Sequence, residues 1–591
     1  MVARLDEAKL RRKAVKSEKQ LLGFRRPFEK GNRAVARATL PVLSGYVKRG
    51  DVDKSINAFH DNAASYNFCT QYEPNDRLFN SAAPNAWKIC ASGLASGMAS
   101  TTQPWANLTA RDKGLRERHA VKEWFDNVNE TIRRFLSQTN IYEEMQNGFG
   151  ELAWSGTECT LFTSHWKHGA VANNMTWGSY ALGVDDAGRP NRLLRESPMT
   201  VEQLVRRMGG THDLNLVKSK VSNRVRKLIE DEKWGDLVPV MHLIEPNDDM
   251  IFGSAKAVNK PYRSIYYEAG TPSSSDRRGV LSISGFDRRP FVGVRWNVYG
   301  NSPYGWGPGL EAMPEAKKLQ IQEIRYQASL DYAARPALQA PVSGQGMGHN
   351  LIPGGITYTA ATDMNSGMRP VWQTDANIIR AVADDIMGRT EPAINRAFYV
   401  NLFQPITSSM TGTQPRTAEE IIRRHEESLA QIGPVTDRIQ TEKLSVIVLQ
   451  AFSILSDAGM IPPAPEELEG QELIIDFVSM LSQAQRMIGL GNIERAVGFV
   501  GNLASAQPTI LDLVDLDEVV IEYWDRLNMS AKTIRSAEDV AAKRQGDAQQ
   551  AQMQQVASMM PAARDGAQAA RLMAEAAQLG GGVSGALQPG V

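Results

Sequence analysis

PEAKKLQIQEIRYQASLDYAA, residues 314–334, sets Ile321, Ile324, Ala328 and Tyr332 on one stripe at helical spacing. Pro314 suits a first helical turn, so the stretch predicts a helix running to about Ala334. Residues 336–370 are then rich in Pro and Gly, with residues 356–360 reading as one short strand among them. A second helix opens near Asp375, with Ile379, Val382, Ile386, Ala393 and Ala397 on one face. Two helices around a small irregular tip predict an antiparallel pair. Gly388 and Pro392 fall inside the second helix, where an interior proline costs about 3 kcal/mol and kinks the rod.

Downstream lies FQPITSSMTGTQPR, residues 403–416, with two prolines, one glycine, many hydroxyls and no charge before Arg416. Thr417 and Glu420 form a capping box for a long helix carrying Ile421, Ile422, Leu429 and Ile432. Gly433-Pro434 predicts an interruption, after which the helix resumes to Ala458 and stops at Gly459, Pro462 and Pro463. Residues 466–545 read as short helices. The last 46 residues hold 12 Ala, 8 Gln and 5 charges, so they have little to bury alone.

Upstream, residues 59–166 read as mainly helical, with patterns over 121–136 and 141–153. ICASGLASGMAS (89–100) carries small residues that let another segment approach closely, and it is too short to span a membrane. Strands are predicted at 159–163, 238–244, 262–268, 280–284 and 291–296, and a hairpin turns at Asp185-Asp186-Ala187-Gly188. Thr200 and Gln203 make a second capping box. Residues 1 to about 300 therefore predict a mixed α+β domain.

The chain has 591 residues, 66 Lys plus Arg against 66 Asp plus Glu, and ordinary hydrophobic content of 42%. That excludes a wholly disordered chain and shows no basic excess of the kind a dedicated nucleic-acid binder carries. The charge is uneven: residues 1–50 hold 14 Lys/Arg and 4 Asp/Glu, and the rest is net acidic by the same margin. This segment predicts a solvated amphipathic helix or an arm touching nucleic acid or another acidic partner. It lacks the apolar core of a signal peptide, no apolar run of 18 residues occurs, and three widely spaced cysteines build no CxxC site. The expectation is a soluble, intracellular-type chain.

Catalytic patterns are missing. There is no GxxxxGK[ST] and no GxSxG. Gly305-Trp306-Gly307-Pro308-Gly309 reads as a turn rather than a dinucleotide fingerprint, because Pro308 removes an amide donor. His165 and His168 are the one histidine pair able to share a helix face, without a Cys or carboxylate at ligand spacing. No catalytic residue, metal site or cofactor is expected, and a structural role is expected over an enzymatic one.

Several segments in order resemble the portal, or head-to-tail connector, family of short-tailed bacteriophages. They are ASGLASGMAS…PW (91–105), Gly156-Thr157-Glu158, YALGVDDAGRPN…RESPMTVEQL (180–204), RPFVGVRWNVYGNSPYGWGP (289–308) and MPEAKKLQ (313–320). ARPAL (334–338), TAEEIIRRHEE (417–427), the Gly433-Pro434 pair and SILSDAGMIPPAPEEL (453–468) complete the series. The resemblance implies an α+β portal-type fold assembled as a ring, twelve subunits in the family, at one capsid vertex, through which double-stranded DNA is packaged and ejected. It implies a wing (1–305), a first stem helix (306–335), a clip (336–374), a second stem helix (375–402) and a tunnel loop (403–416). A long wing helix (417–459), a crown (460–545) and a C-terminal tail or barrel helix (546–591) follow. The DNA-channel residues would be Thr407, Ser408, Ser409, Met410, Thr411, Gly412, Thr413 and Gln414. Implied partners are further copies of the chain, double-stranded DNA, the terminase large subunit, tail adaptors, and the major capsid and scaffolding proteins. No membrane is implied; the location would be the virion, with the host cytoplasm during assembly.

A neutral chain with an uncharged hydroxyl-rich loop suits sliding DNA, because each Lys or Arg on a phosphate adds counterion-release affinity. Two other readings stand beside this one. A virion scaffold or adaptor without a DNA channel would give no ring with an axial hole, and a metal enzyme built on His165/His168 would carry bound metal.

Overall fold

The computed structural model describes residues 7–44, 78–116, 118–208, 214–254, 256–269, 279–334, 338–339, 369–370, 375–403, 431–468, 470–478 and 490–504, with short pieces at 519–520, 540, 543–547 and 571. Contacts divide the chain into two units, Met1–Ile488 and Gly489–Val591. In the second unit the principal described element is a helix, Leu490–Ala504.

The first unit opens with α1 (Glu7–Thr39), followed by α2 (Ala82–Met98), β1 (Ala106–Ala110), α3 (His119–Gln138) and α4 (Ile141–Ser155). Next come β2 (Thr157–His165), β3 (Gly169–Met175), β4 (Tyr180–Val184), β5 (Pro190–Glu196), α5 (Val201–Met208) and α6 (Asn223–Glu230). After these run β6 (Val240–Pro246), β7 (Tyr262–Glu268), β8 (Val280–Phe286), β9 (Phe291–Arg295) and α7 (Pro308–Ala334). The last are α8 (Ala376–Asp385), α9 (Glu391–Ala397), α10 (Val400–Phe403), α11 (Ser445–Asp457) and β10 (Leu473–Phe477). Mixed helix and sheet confirms the α+β expectation.

An antiparallel five-stranded sheet, β8-β7-β6-β5-β4, is covered on both faces. Because side chains alternate across a strand, Ile265 and Tyr267 of β7 join Met241 and Leu243 of β6 beneath Ala14 and Leu21 of α1. Tyr266 and Val240 point the other way, onto Val201, Leu204, Val225 and Ile229 of α5 and α6. A three-stranded sheet, β9-β2-β3, lies beside α4. The largest core joins α2, α3 and α4 to Ala316 and Leu319 of α7, to Phe398 and Leu402, and to Ile439 and Ile447.

Four expectations need correction. The basic N-terminal segment is a helix with an exposed basic side, as expected, but it is not an arm free of the body: α1 is 33 residues long and buries Leu10, Arg11, Ala14, Glu18, Leu21, Arg25 and Glu29. Three of its inward charges are matched: Arg25 Nη1 donates to the carbonyls of Gly178 and Tyr180, Arg25 Nε to Glu29, and Tyr267 Oη to Glu18. Second, α7 begins at Pro308, so Pro314 sits within the helix and Pro308 takes the first-turn role. Third, LIIDF at 473–477 is a strand rather than part of a helix; it pairs with β1 from Ala106↔Phe477 to Ala110↔Leu473, as its β-branched and aromatic run favours. Fourth, residues 431–439 are helical straight through Gly433 and Pro434.

Other readings hold. The Thr200/Gln203 capping box is reciprocal, each side chain accepting the other's amide. Asp375 caps α8 by accepting the Asn377 amide. Leu338–Gln339 pairs antiparallel with Arg369–Pro370, while the strand expected at 356–360 lies outside the described residues.

Candidate channel site

The expected channel residues Thr407, Ser408, Ser409, Met410, Thr411, Gly412, Thr413 and Gln414, and the Thr417/Glu420 capping box, lie outside the described residues. What the structure gives is the frame that holds the two ends of this segment. On the entering side the second long helix is not continuous. A π-helical turn at Ile386–Thr390 separates α8 from α9, and Tyr399, at φ +56°, separates α9 from α10. The π-turn accounts for Pro392, whose ring would meet the carbonyl of Gly388 in a regular helix; widening the turn moves that carbonyl aside.

This interrupted helix is tied to α7 through polar contacts. Gln322 Nε2 donates to Asp385 Oδ2 at 2.6 Å, Lys318 pairs with Asp385 at 3.2 Å, and the buried Thr390 hydroxyl donates to Gln322 at 3.1 Å. Phe398, Val400 and Leu402 are buried, and the Phe403 ring lies directly over Gly93 of α2, where any Cβ would collide with it. The small-residue stretch at 89–100 therefore does permit a close approach, and the visitor is Phe403, the last described residue before 404–430.

On the leaving side, residues 431–439 run into a second π-turn, Gln440–Leu444, and then α11. Ile432, Val435, Ile439, Leu444 and Ile447 enter the same core as Phe398 and Leu402. Both ends of the segment are thus fixed in one core.

The second π-turn also carries two ion pairs. Lys443 Nζ donates to both oxygens of Glu158 at 2.6 and 2.7 Å with both side chains fully buried, and it lies 3.8 Å from the centroid of the Phe149 ring. Beside it Arg295 Nη2 donates to Glu442 Oε1 at 2.6 Å, and Arg438 Nη1 donates to the Trp296 carbonyl at 2.8 Å. Glu158 and Arg295 sit on paired strands, with Val294↔Glu158 and Arg295↔Thr157 in register. Successive residues of the turn therefore grip neighbouring strands. Burial draws the Lys443 ammonium below its usual value, and the Glu158 carboxylate opposes that shift. Glu158 falls within the Gly156-Thr157-Glu158 motif, but nothing local marks Lys443, 285 residues away, as its partner.

Glu151 is a further buried acid. It accepts from Trp177 N at 3.0 Å and Trp154 Nε1 at 3.1 Å, and burial raises its carboxyl from 4.5 to about 8. A raised carboxyl stays protonated in the folded chain while the unfolded chain ionises, so stability is full below about pH 4.5 and declines up to about pH 8. Glu151→Gln keeps the accepting oxygen and removes the titration. We expect an unchanged urea midpoint at pH 5 and a higher one at pH 9; equal shifts at both would count against this assignment.

His165 and His168 stand at the tip of the β2–β3 hairpin with ring centroids 5.1 Å apart, and His165 Nδ1 accepts the amides of Lys167 and His168. This serves the turn. Among the described residues no group of three His, Cys, Asp or Glu side chains is placed to hold a metal ion, and no helix is long and apolar enough to cross a membrane.

Comparison with known proteins bears on the whole chain. The probable portal protein of Bordetella phage BPP-1 is 32% identical over 487 residues, covering 82% of this chain and 85% of that protein. The portal protein of Salmonella phage epsilon15 is 31% identical over 494 residues, 83% of this chain and 86% of that one. A chain from the neck of an empty GTA particle, computed with C6 symmetry, aligns at 12% identity over 71% of this chain and 88% of that chain, with a TM-score of only 0.33. The family described as bacteriophage head to tail connecting protein matches residues 18–534, and on that match, with both portal relatives, this chain belongs to the bacteriophage head-to-tail connecting proteins.

Proposed function

We propose that the chain is the subunit of a portal ring, twelve copies closing around double-stranded DNA at one capsid vertex during packaging and ejection. The observation that carries the reading is the frame at 403 and 431. Two interrupted helices end in one buried core and present between them a segment whose first fourteen residues bear no charge before Arg416. Such a segment can meet phosphates through hydroxyls and amides without the counterion release that would make DNA stick.

The exposed side of the helix pair supports assembly. Ile321 and Ile324, and Ile378 on the second helix, are 45–63% exposed in the single chain. Head-to-tail closure of a ring covers such a stripe with the next copy, without any catalytic group. In this reading residues 1–305 are the wing, 306–335 and 375–402 the stem, 336–374 the clip, 403–416 the tunnel loop, 417–459 the long wing helix, 460–545 the crown and 546–591 a tail or barrel helix. The clip and stem dock the terminase large subunit and then tail adaptors. The wing meets the capsid and scaffolding proteins during assembly in the host cytoplasm.

Thr407 to Gln414 line the narrowest point of the channel, with Ser408, Ser409 and Met410 nearest the axis. Ser408→Lys with Ser409→Lys should slow or abort DNA packaging while rings still form, as judged by packaged DNA per particle. Normal packaging by such rings would remove the loop from the channel.

A further inference from the structure

The net charge of the N-terminal segment resolves, once α1 is folded, into two populations. The acids inside the helix beyond its first residue, Glu18 and Glu29, are buried and engaged by Tyr267 and Arg25. The outward side is rich in basic residues: Arg12, Lys16, Lys19, Arg26, Lys30 and Arg37 are all exposed. At about 100° per residue they fall within one sector roughly 100° wide. From Arg12 to Arg37 the row is about 38 Å long at 1.5 Å per residue, close to one turn of duplex DNA. Pro27 and the Gly23 carbonyl it leaves unbonded are on this same exposed side, where water can satisfy the carbonyl, so the helix tolerates its internal proline.

We infer that the outer face of α1 is a binding surface for the phosphate backbone of double-stranded DNA, outside the channel. Charge complementarity selects the partner. The row contains no carboxylate and no large apolar side chain; Phe24, 44% exposed, lies to one side of it. Protein partners are held mainly by buried aromatic and arginine anchors in fitted pockets. A line of extended lysine and arginine side chains without a pocket instead suits a regular polyanion read without sequence preference. Because such contacts grip, they belong on DNA that is not translocating, and an uncharged channel loop and a basic outer helix can coexist in one ring. The inference rests on the portal reading for its assignment to the outside of a channel.

The test uses full-length rings, verified by native mass, and covalently closed circular DNA, which cannot thread a closed ring. Binding is measured against salt for the wild type, for Arg12→Gln/Lys16→Gln/Lys19→Gln/Lys30→Gln, and for Lys16→Arg/Lys19→Arg/Lys30→Arg. The wild type and the arginine variant should bind at low salt. The glutamine variant should form rings yet bind weakly, with the log–log salt slope shallower by about 3 to 4, from roughly 0.9 per lost phosphate contact. An unchanged slope, or retention of polyglutamate with no retention of DNA, would overturn the inference. Loss of rings in the glutamine variant alone would also overturn it, assigning the face to a contact between copies. Failure of the wild type to form any ring would instead strike the portal reading itself.

Discussion

Lys443→Met, with Glu158 left in place, should destabilise the chain by about 3–5 kcal/mol, the usual cost of stranding one charge of a buried pair. Among the described residues the carboxylate would keep only the Thr160 hydroxyl at 3.0 Å, and it is pressed against Gly148 of α4, so it cannot swing out to water. The loss should show as a lower urea midpoint and fewer assembled rings. Replacing both partners, Lys443→Met with Glu158→Met, should recover most of it, since an apolar pair of similar size often matches a buried ion pair. If the single variant is as stable as the wild type, the pair does not hold the second π-turn to β2.

Gly307→Ala should be nearly as damaging, by about 3 kcal/mol or more, because the new methyl meets backbone that cannot move aside. It would stand 2.7 Å from Gly156 N and 3.0 Å from the Leu152 carbonyl. Gly156 is itself fixed: at φ +76° it caps α4, its amide donates to Leu152, and its carbonyl accepts the Trp296 amide at 2.9 Å. This crossing joins the end of α4, the end of β9 and the start of α7, so a shift there displaces the helix that carries the exposed Ile321 and Ile324. Thermal unfolding of Gly307→Ala beside Gly235→Ala, a glycine with nothing near it, checks the contrast. Equal midpoints would show that the crossing yields.

Local pattern made much of this fold legible. Strand β7 occupies the residues expected of it, the helix expected to open near Asp375 does so, and of the two capping boxes read from sequence the one at Thr200/Gln203 is described and formed. Long-range pairing was not legible. ANLTA at 106–110 carries no strong strand signal, and its partner LIIDF lies more than 360 residues away, so neither half announces the other. Charge counting misread α1 for a related reason. Net charge sums all residues alike, whereas Arg11, Glu18, Arg25 and Glu29 point into a core assembled from strands far along the chain. The candidate site divides in the same way: composition marks the uncharged segment after Phe403, but the buried ties at Glu158, Arg295, Glu442 and Lys443 exist only in three dimensions.

The central claim is a closed ring around a DNA-sized hole. Native mass measurement of the purified chain, with particle images viewed down the axis, tests it most directly. A twelve-fold ring of 65.1 kDa chains should weigh about 780 kDa and show an axial opening. Monomers or dimers at every concentration, or assemblies with no central hole, would contradict it.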